Sequence, residues 1–257
     1  MFFDSHAHYD DPRFDADRAR LLPRLHQNGL SRVVNVGANM ASSRSSVALA
    51  AQYDFVYAAV GVHPHDAARL TNGDLGALAA LTEQPKVVAW GEIGLDYYYD
   101  NSPRDIQRKR FADQLAQARS LHLPVIIHSR DAAQETFQLI RDSGVREGVI
   151  HCYSGHLPMA LDYIQMGFYI GIGGVVTYPS AKKTAEVAAG IPLERLVLET
   201  DCPYLTPVPR RGERNDSGNL VYVAEVVACL RDSTPIAVAQ ATAQNACRLY
   251  RLPPLPA

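Results

Sequence analysis

Phe2-Phe3-Asp4-Ser5-His6-Ala7-His8 opens the chain with a short hydrophobic run that leads into two histidines one residue apart. An extended backbone over Phe2–His6 puts side chains two apart on one face, so His6 and His8 point into the same space. Neutral imidazole is the commonest side-chain metal ligand, and two on one face can grip one divalent ion. Nine histidines in 257 residues also fall two apart by chance, so the pair alone decides little. Its weight comes from the rest of the chain, where further buried runs end in side chains of the same kind.

Those runs are apolar and rich in β-branched residues, and they read as buried strands. After Phe2–His6 come Arg32–Val36, Val56–Val60, Lys86–Gly91 and Pro124–His128, then Gly148–His151, Phe168–Ile172 and Arg195–Glu199. Helical patterns alternate with them at Asp15–Asn28, Ala41–Gln52, Asp74–Thr82, Pro103–Leu121, Ala132–Asp142, Pro158–Met166, Ser180–Ala188 and Asn219–Arg231. In 103–121 the residues Ile106, Phe111, Leu115 and Ala118 fall on roughly one helical face. Gly29, Gly144, Gly167 and Gly190 stand where helices should stop. A last helix, about Pro235–Tyr250, precedes a Pro-rich tail. Eight strand–helix units with no linker, repeat or break in composition predict one α/β domain over 1–257. Its expected fold is a single (β/α)8 TIM barrel with an additional C-terminal helix. An open, doubly wound sheet fits six strands better than eight.

Composition narrows the function. A 47% hydrophobic, 20% charged chain supports a folded globular protein with a sizeable core. The net charge of −2 exerts no general pull on nucleic acid, so a polyanion site must be local and assisted by metal. No apolar run reaches the roughly 18 residues of a membrane helix. Asp4, Asp10 and Asp11 arrive where a signal peptide would be basic and then apolar. Cys152, Cys202, Cys229 and Cys247 show no CxxC spacing, which predicts free thiols and a cytoplasmic protein. A monomer is the default expectation.

The ends of the strands carry the chemistry. The first ends in His6 and His8, the fourth in Glu92, the fifth in His128, the sixth in His151 and the eighth in Asp201. Singly, Glu92 reads as a solvated loop acid, either later histidine as a hydrogen-bonded core residue, and Asp201 as a turn cap. In a barrel, however, the C-terminal strand ends meet at one mouth, where catalytic residues sit. Six nitrogen and oxygen ligands are too many for one catalytic zinc and suit two divalent ions about 3.5–4 Å apart. The expected division gives one ion His6, His8 and Asp201, and the other His128 and His151, with Glu92 bridging. Cys152 and Cys202 each follow a ligand by one residue and are expected to pack in the core.

These pieces resemble the TatD family of metal-dependent deoxyribonucleases, within the amidohydrolase-like barrel superfamily. The matching stretches are Asp4-Ser-His-Ala-His8, Gly61-Val-His-Pro-His65, Gly91-Glu-Ile-Gly-Leu-Asp-Tyr97, His128-Ser-Arg130, His151-Cys-Tyr-Ser-Gly155 and Leu198-Glu-Thr-Asp-Cys-Pro-Tyr-Leu205. The family's metal positions fall on the same six residues. The resemblance implies Mg2+, Mn2+ or Zn2+ and phosphodiester cleavage, often by 3′→5′ exonuclease action on single-stranded DNA. One departure is visible: the family's usual Arg-Asn-Glu-Pro is here Arg214-Asn-Asp-Ser217, which bears on the loop after the eighth strand.

A phosphodiester resists attack because its negative oxygens repel the nucleophile, and two cations remove that obstacle. Asp201 is the candidate general base, with Glu92 the second catalytic carboxylate. His63 and His65 end the third strand and are candidates to hold a phosphate oxygen or protonate the leaving group, against packing or hydrogen bonding behind the ligands. Arg130, two after His128, is placed to take a phosphate bidentately. Arg210, Arg211 and Arg214 lie in the loop after the eighth strand, close to the ions, and Arg210 and Arg211 read equally as phosphate contacts or as a solvated surface pair. Tyr97, Tyr98 and Tyr99 offer faces for an unpaired base, with at least one of them expected in the core. Arg104, Arg108, Lys109 and Arg110 read as a solvated helix face, and Gly171-Ile-Gly-Gly174 as clearance after the seventh strand. No sequence-reading module occurs, so little base specificity is expected. A hydrolase of a small ester, lactone or amide is the alternative on the same barrel. A non-catalytic DNA-binding scaffold would need a broken ligand set.

Overall fold

A computed structural model describes residues 1–256. Strands β1 (Phe2–Ala7), β2 (Leu30–Val36), β3 (Val56–Val60), β4 (Val87–Asp96), β5 (Val125–Arg130), β6 (Gly148–Ile150), β7 (Tyr169–Ile172) and β8 (Leu196–Leu198) pair in chain order in one sheet. Between them run α1 (Arg18–Gln27), α2 (Met40–Gln52), α3 (Asn72–Thr82), α4 (Arg104–Ser120), α5 (Ala133–Ser143), α6 (Leu157–Gln165) and α7 (Lys182–Gly190). After β8 come α8 (Leu220–Leu230) and α9 (Pro235–Leu249). Parallel strands alternating with helices in this order are the (β/α)8 barrel class, and α9 is the additional helix. Among the described residues no helix is long and apolar enough to cross a membrane. The four cysteines are thiols, not joined in disulfides.

The chain forms two compact units. One holds Met1–Val34, Cys152–Gln165 and the chain from Tyr169 onward; the other holds Asn35–His151 with Met166–Phe168.

In the second unit the main departure from expectation is β4, which does not stop at Gly91 but runs on to Asp96. Opposite β5 it pairs Trp90 with Val125, then Ile93 with Ile127, Gly94 with His128 and Asp96 with Arg130. The step from Trp90 to Ile93 spans one residue more than its partner, a bulge that re-aims the rest of the strand. Both glycines that look like strand breakers are instead sites of close approach. A Cβ on Gly91 would lie 2.6 Å from Ile126 Cβ, and one on Gly94, at φ +149°, would lie 1.9 Å from the His128 carbonyl oxygen.

Helix α4 packs Phe111, Leu115 and Ala118 inward as expected, but Ile106 is only half-buried. Two buried glutamines take the inward positions beside them. Gln114 Nε2 donates to Val62 O (2.9 Å), while its Oε1 accepts from Val62 N (2.9 Å) and from Trp90 Nε1 (3.3 Å). Gln107 Oε1 accepts from Asp96 N (2.9 Å), and its Nε2 donates to Asp96 O (3.1 Å) and Ser102 O (2.8 Å). Satisfying both partners of a buried amide is what makes it tolerable in a core. The basic residues on the outer side of α4 form ion pairs: Arg104 with Asp100, Arg108 with Glu135, and Lys109 and Arg110 with Asp113.

In the first unit, an isolated bridge joins Ala7 to Cys202, beyond the end of β8. Helix α9 is fastened by Asn245 Nδ2, which donates to Leu193 O (2.7 Å) and Leu196 O (2.6 Å), and the next residue after the helix, Tyr250, donates to Ser5 O (2.8 Å). The loop before α8 is ordered without the proline. Asn215 Nδ2 donates to Thr200 O (3.0 Å) and Tyr204 O (2.7 Å), and Asp216 caps the short 3-10 turn through Gly218 N (2.8 Å). Gly174, in the run expected to give clearance, is needed for close approach instead: a Cβ there would lie 2.1 Å from Leu205 O.

Candidate metal centre

The first unit gathers His6, His8 and Asp201. His6 Nε2 and His8 Nε2 are 3.1 Å apart, and Asp201 Oδ1 lies 3.7 Å from the former and 3.3 Å from the latter. Backbone pairing sets this cluster, because Asp201 N donates to His6 O (2.9 Å) and His8 N donates to Cys202 O (2.8 Å). Asp201 has φ 55°, in the left-handed region that a short polar side chain tolerates better than most.

Beneath His6 lies Asp4, two residues earlier and fully buried. Its carboxylate accepts from Thr200 N (3.0 Å), Thr200 Oγ1 (2.6 Å), Ser217 Oγ (2.6 Å) and His6 N (3.3 Å). Ser217, standing in the proline position, therefore ties the loop to the floor of the cluster. Burial pushes the Asp4 carboxyl up to about 7, against the downward pull of these hydrogen bonds. The unfolded chain releases this proton near 3.8. Between those values the native state holds more protons, so this group's contribution to stability falls as pH rises from about 4 to about 7. The loss is on the order of a few kcal/mol. Thermal melts in chelator should show wild type losing more between pH 5 and 8 than Asp4→Asn. Parallel curves for the two proteins would contradict the assignment.

The second unit gathers Glu92, His128 and His151 with His63. Glu92 is a residue inside β4, not the strand-end acid expected, and is 4% exposed. Its Oε1 lies 2.9 Å from His151 Nε2, 3.0 Å from His128 Nδ1 and 3.7 Å from His63 Nε2. The ligand atoms of His63, Glu92 and His128 all fall within 4.8 Å of one another. His63 Nδ1 accepts from His65 N (3.2 Å), which leaves the neutral ring's proton on Nε2, the edge facing Glu92. Burial, the largest cause, with the neighbouring His128 acting in the same direction, pushes His63 well below the usual histidine range and keeps it neutral.

One residue with a clear place here has no role on sequence grounds alone. Asp96 Oδ2 accepts from His128 Nε2 (3.2 Å) and His65 Nε2 (2.9 Å), and its Oδ1 accepts from Tyr98 N (3.0 Å) and Tyr99 N (2.9 Å). Burial would raise this carboxyl, but the bonds from His128, the Tyr99 amide and His65 hold it well below the ordinary carboxylate range. A proton committed to Asp96 at Nε2 turns the Nδ1 lone pair of His128 toward Glu92. Asp96→Asn is expected to weaken divalent-metal affinity about 10–100-fold, read by calorimetric titration. An unchanged isotherm would show that His128 needs no such support. A readable signal exists: Glu92, Gly94 and Asp96 alternate on one strand face, visible once β4 is continued through its glycines. Glu199, two before Asp201 and fully buried, is a second residue without a sequence-level role; its Oε1 accepts from the Cys152 amide.

The remaining candidates divide. His65 gives its Nε2 proton to Asp96, so that donor is not free for a phosphate. Tyr97 does not offer its hydroxyl outward: it donates to Glu135, and Arg104 lies 4.4 Å over its ring. None of the three tyrosines is in the core; Tyr98 and Tyr99 are exposed. Arg130 is exposed and stacks on both. Arg214 pairs with Asp17 (2.7 Å) and Arg210 with Glu213 (2.7 Å), while Arg211 lies over Tyr178. Cys202 is buried as expected, Cys152 only half so.

Each cluster offers imidazole nitrogens and carboxylate oxygen at convergent points, a donor set that fits zinc and the harder divalent ions Mn2+ and Mg2+. Comparison with known proteins bears on what such a set does. A family model described as TatD related DNase matches residues 3–251. The chain is 41% identical to an uncharacterized metal-dependent hydrolase, YabD of Bacillus subtilis, covering 98% of this chain and all of that one. It is 33% identical to a protein of Erwinia tasmaniensis named 3′-5′ ssDNA/RNA exonuclease TatD, over 97% of this chain and all of the other. The crystal structure of YjjV, a TatD homolog from Escherichia coli K12, superposes with TM-score 0.92 at 35% identity over 98% of both chains.

Proposed function

From the premise that the chain belongs to the TatD-related DNase family and is a metal-dependent hydrolase, we propose that it cleaves nucleic-acid phosphodiester bonds, digesting single-stranded DNA from its 3′ end. The observation that carries this reading is Glu92, one buried carboxylate oxygen faced by three imidazoles. The Erwinia relative's name supports the choice of substrate.

His6, His8 and Asp201 would hold one divalent ion, and Glu92, His128 and His151 a second, and 1–257 is taken as one hydrolase domain. Bound there, the ions would neutralise phosphate charge and acidify the attacking water. Asp201 takes up that water's proton on its carboxylate. Neutral His63 donates a hydrogen bond from Nε2 to the departing oxygen, which takes its proton from solvent water. Asp96 keeps His128 oriented throughout. Four cysteines kept as thiols accord with action in a reducing cytoplasm.

The test is a panel of 3′- and 5′-labelled single-stranded DNA, duplex DNA, and small esters and lactones, each with Mg2+, Mn2+ or Zn2+. Shortening of single strands from the 3′ end is expected, with two metal equivalents bound. Intact DNA beside a hydrolysed ester would overturn the nuclease reading in favour of small-molecule hydrolysis.

A further inference from the structure

We propose that Tyr98, Tyr99 and Arg130 form a docking subsite for one unpaired base of a DNA strand and its adjoining phosphate. The proposal deepens the nuclease reading and rests on it for the identity of the ligand. Tyr98 and Tyr99 are 58% and 54% exposed, two large rings side by side on the turn after β4. Their centroids are 4.9 Å apart and their planes perpendicular. The Arg130 guanidinium lies 3.9 Å from the Tyr98 centroid and 4.9 Å from that of Tyr99.

Unlike Arg104 and Arg108 of the neighbouring helix, Arg130 leaves its charge uncommitted. Arg104, Arg108, Arg210 and Arg214 each face a carboxylate. Among the described residues Arg130 has no ion-pair partner, and its ring contacts leave the N–H donors available. A guanidinium held on an aromatic face is pre-oriented for a phosphate, which it can bind bidentately. Tyrosine faces stack any base, because every base has a π-face.

The subsite is also fixed relative to the chemistry. Asp96 Oδ1 pins the amides of both tyrosines, and Asp96 Oδ2 holds His128 of the metal cluster. Tyr99 meets the His65 ring edge-on at 5.4 Å, and His65 bonds the same Asp96 oxygen as His128. A turn held this way loses little further freedom when a base docks. Solvated tyrosines covering an arginine stem would be the plain alternative, and it predicts no dependence on the base.

The test uses the metal-loaded, full-length protein and a fluorescent phosphorothioate octathymidylate, which resists cleavage, with an abasic octamer as control. Anisotropy should show Tyr98→Ala/Tyr99→Ala binding the octathymidylate about tenfold or more weakly than wild type. The abasic strand should bind both proteins alike, and Tyr98→Phe/Tyr99→Phe should restore wild-type affinity. Arg130→Gln should weaken both strands and reduce the slope of log K against log salt by about 0.7. Equal octathymidylate affinity in wild type and the double alanine variant overturns the subsite, as does failure of wild type to bind it. If wild type binds the octamer with tyrosine dependence but leaves ordinary DNA uncut, the subsite stands and the nuclease reading falls.

Discussion

Glu92→Gln is expected to lower kcat/KM for phosphodiester hydrolysis by about 10³-fold or more and to reduce bound metal below two equivalents. The size comes from position. A single oxygen, Oε1, lies within 3.7 Å of nitrogens on His63, His128 and His151. Glutamine keeps the shape but removes the negative charge that would hold a cation. It also places an N–H2 group beside His128 Nδ1, which should present a lone pair. Turnover assays paired with elemental analysis of the purified variant check both parts. A variant retaining more than a tenth of wild-type turnover with full metal content would remove Glu92 from the centre.

Gly94→Ala should have the largest effect on stability, about 3 kcal/mol or more, seen as a melting temperature lower by on the order of 10 °C. Two independent costs add. The backbone at φ +149° suits glycine alone, and the new methyl would sit 1.9 Å from the His128 carbonyl oxygen. Backbone cannot yield as a flexible side chain would, so β4 and β5 must part where Glu92 and His128 depend on their register. Metal affinity should therefore fall with the melting temperature. A variant that melts like wild type would mean that the strands do not approach as closely as described.

The contrast between Gly94 and the residues around it shows what sequence can and cannot reveal. His6, His8, His128 and His151 are legible because each ends or closely trails an apolar run, and a polar ligand at a strand end stands out. Glu92 is legible by its chemistry but not by its place. A glycine that breaks a strand and a glycine that lets two strands touch look the same in one sequence, and ending the strand at Gly91 hides Asp96 as well. Gln107 and Gln114 escape notice for a different reason: an amide in an amphipathic helix is expected to face water, which hands the inward place to Ile106. Arg214 looks available for phosphate because its partner, Asp17, lies far away along the chain. Long-range pairing of this kind has no local signature.

The two buried amides of α4 carry a further consequence. Gln107 and Gln114 are seven positions apart, nearly two complete turns, which is why both reach inward from one side. One hooks the chain just before His63 and the other the terminal residue of β4. The helix thus behaves as a gauge with two fixed teeth. Inserting or deleting a single residue between them would swing one tooth by roughly 100° and release one loop while keeping the other. Within α4, length changes should be tolerated better outside that interval than inside it.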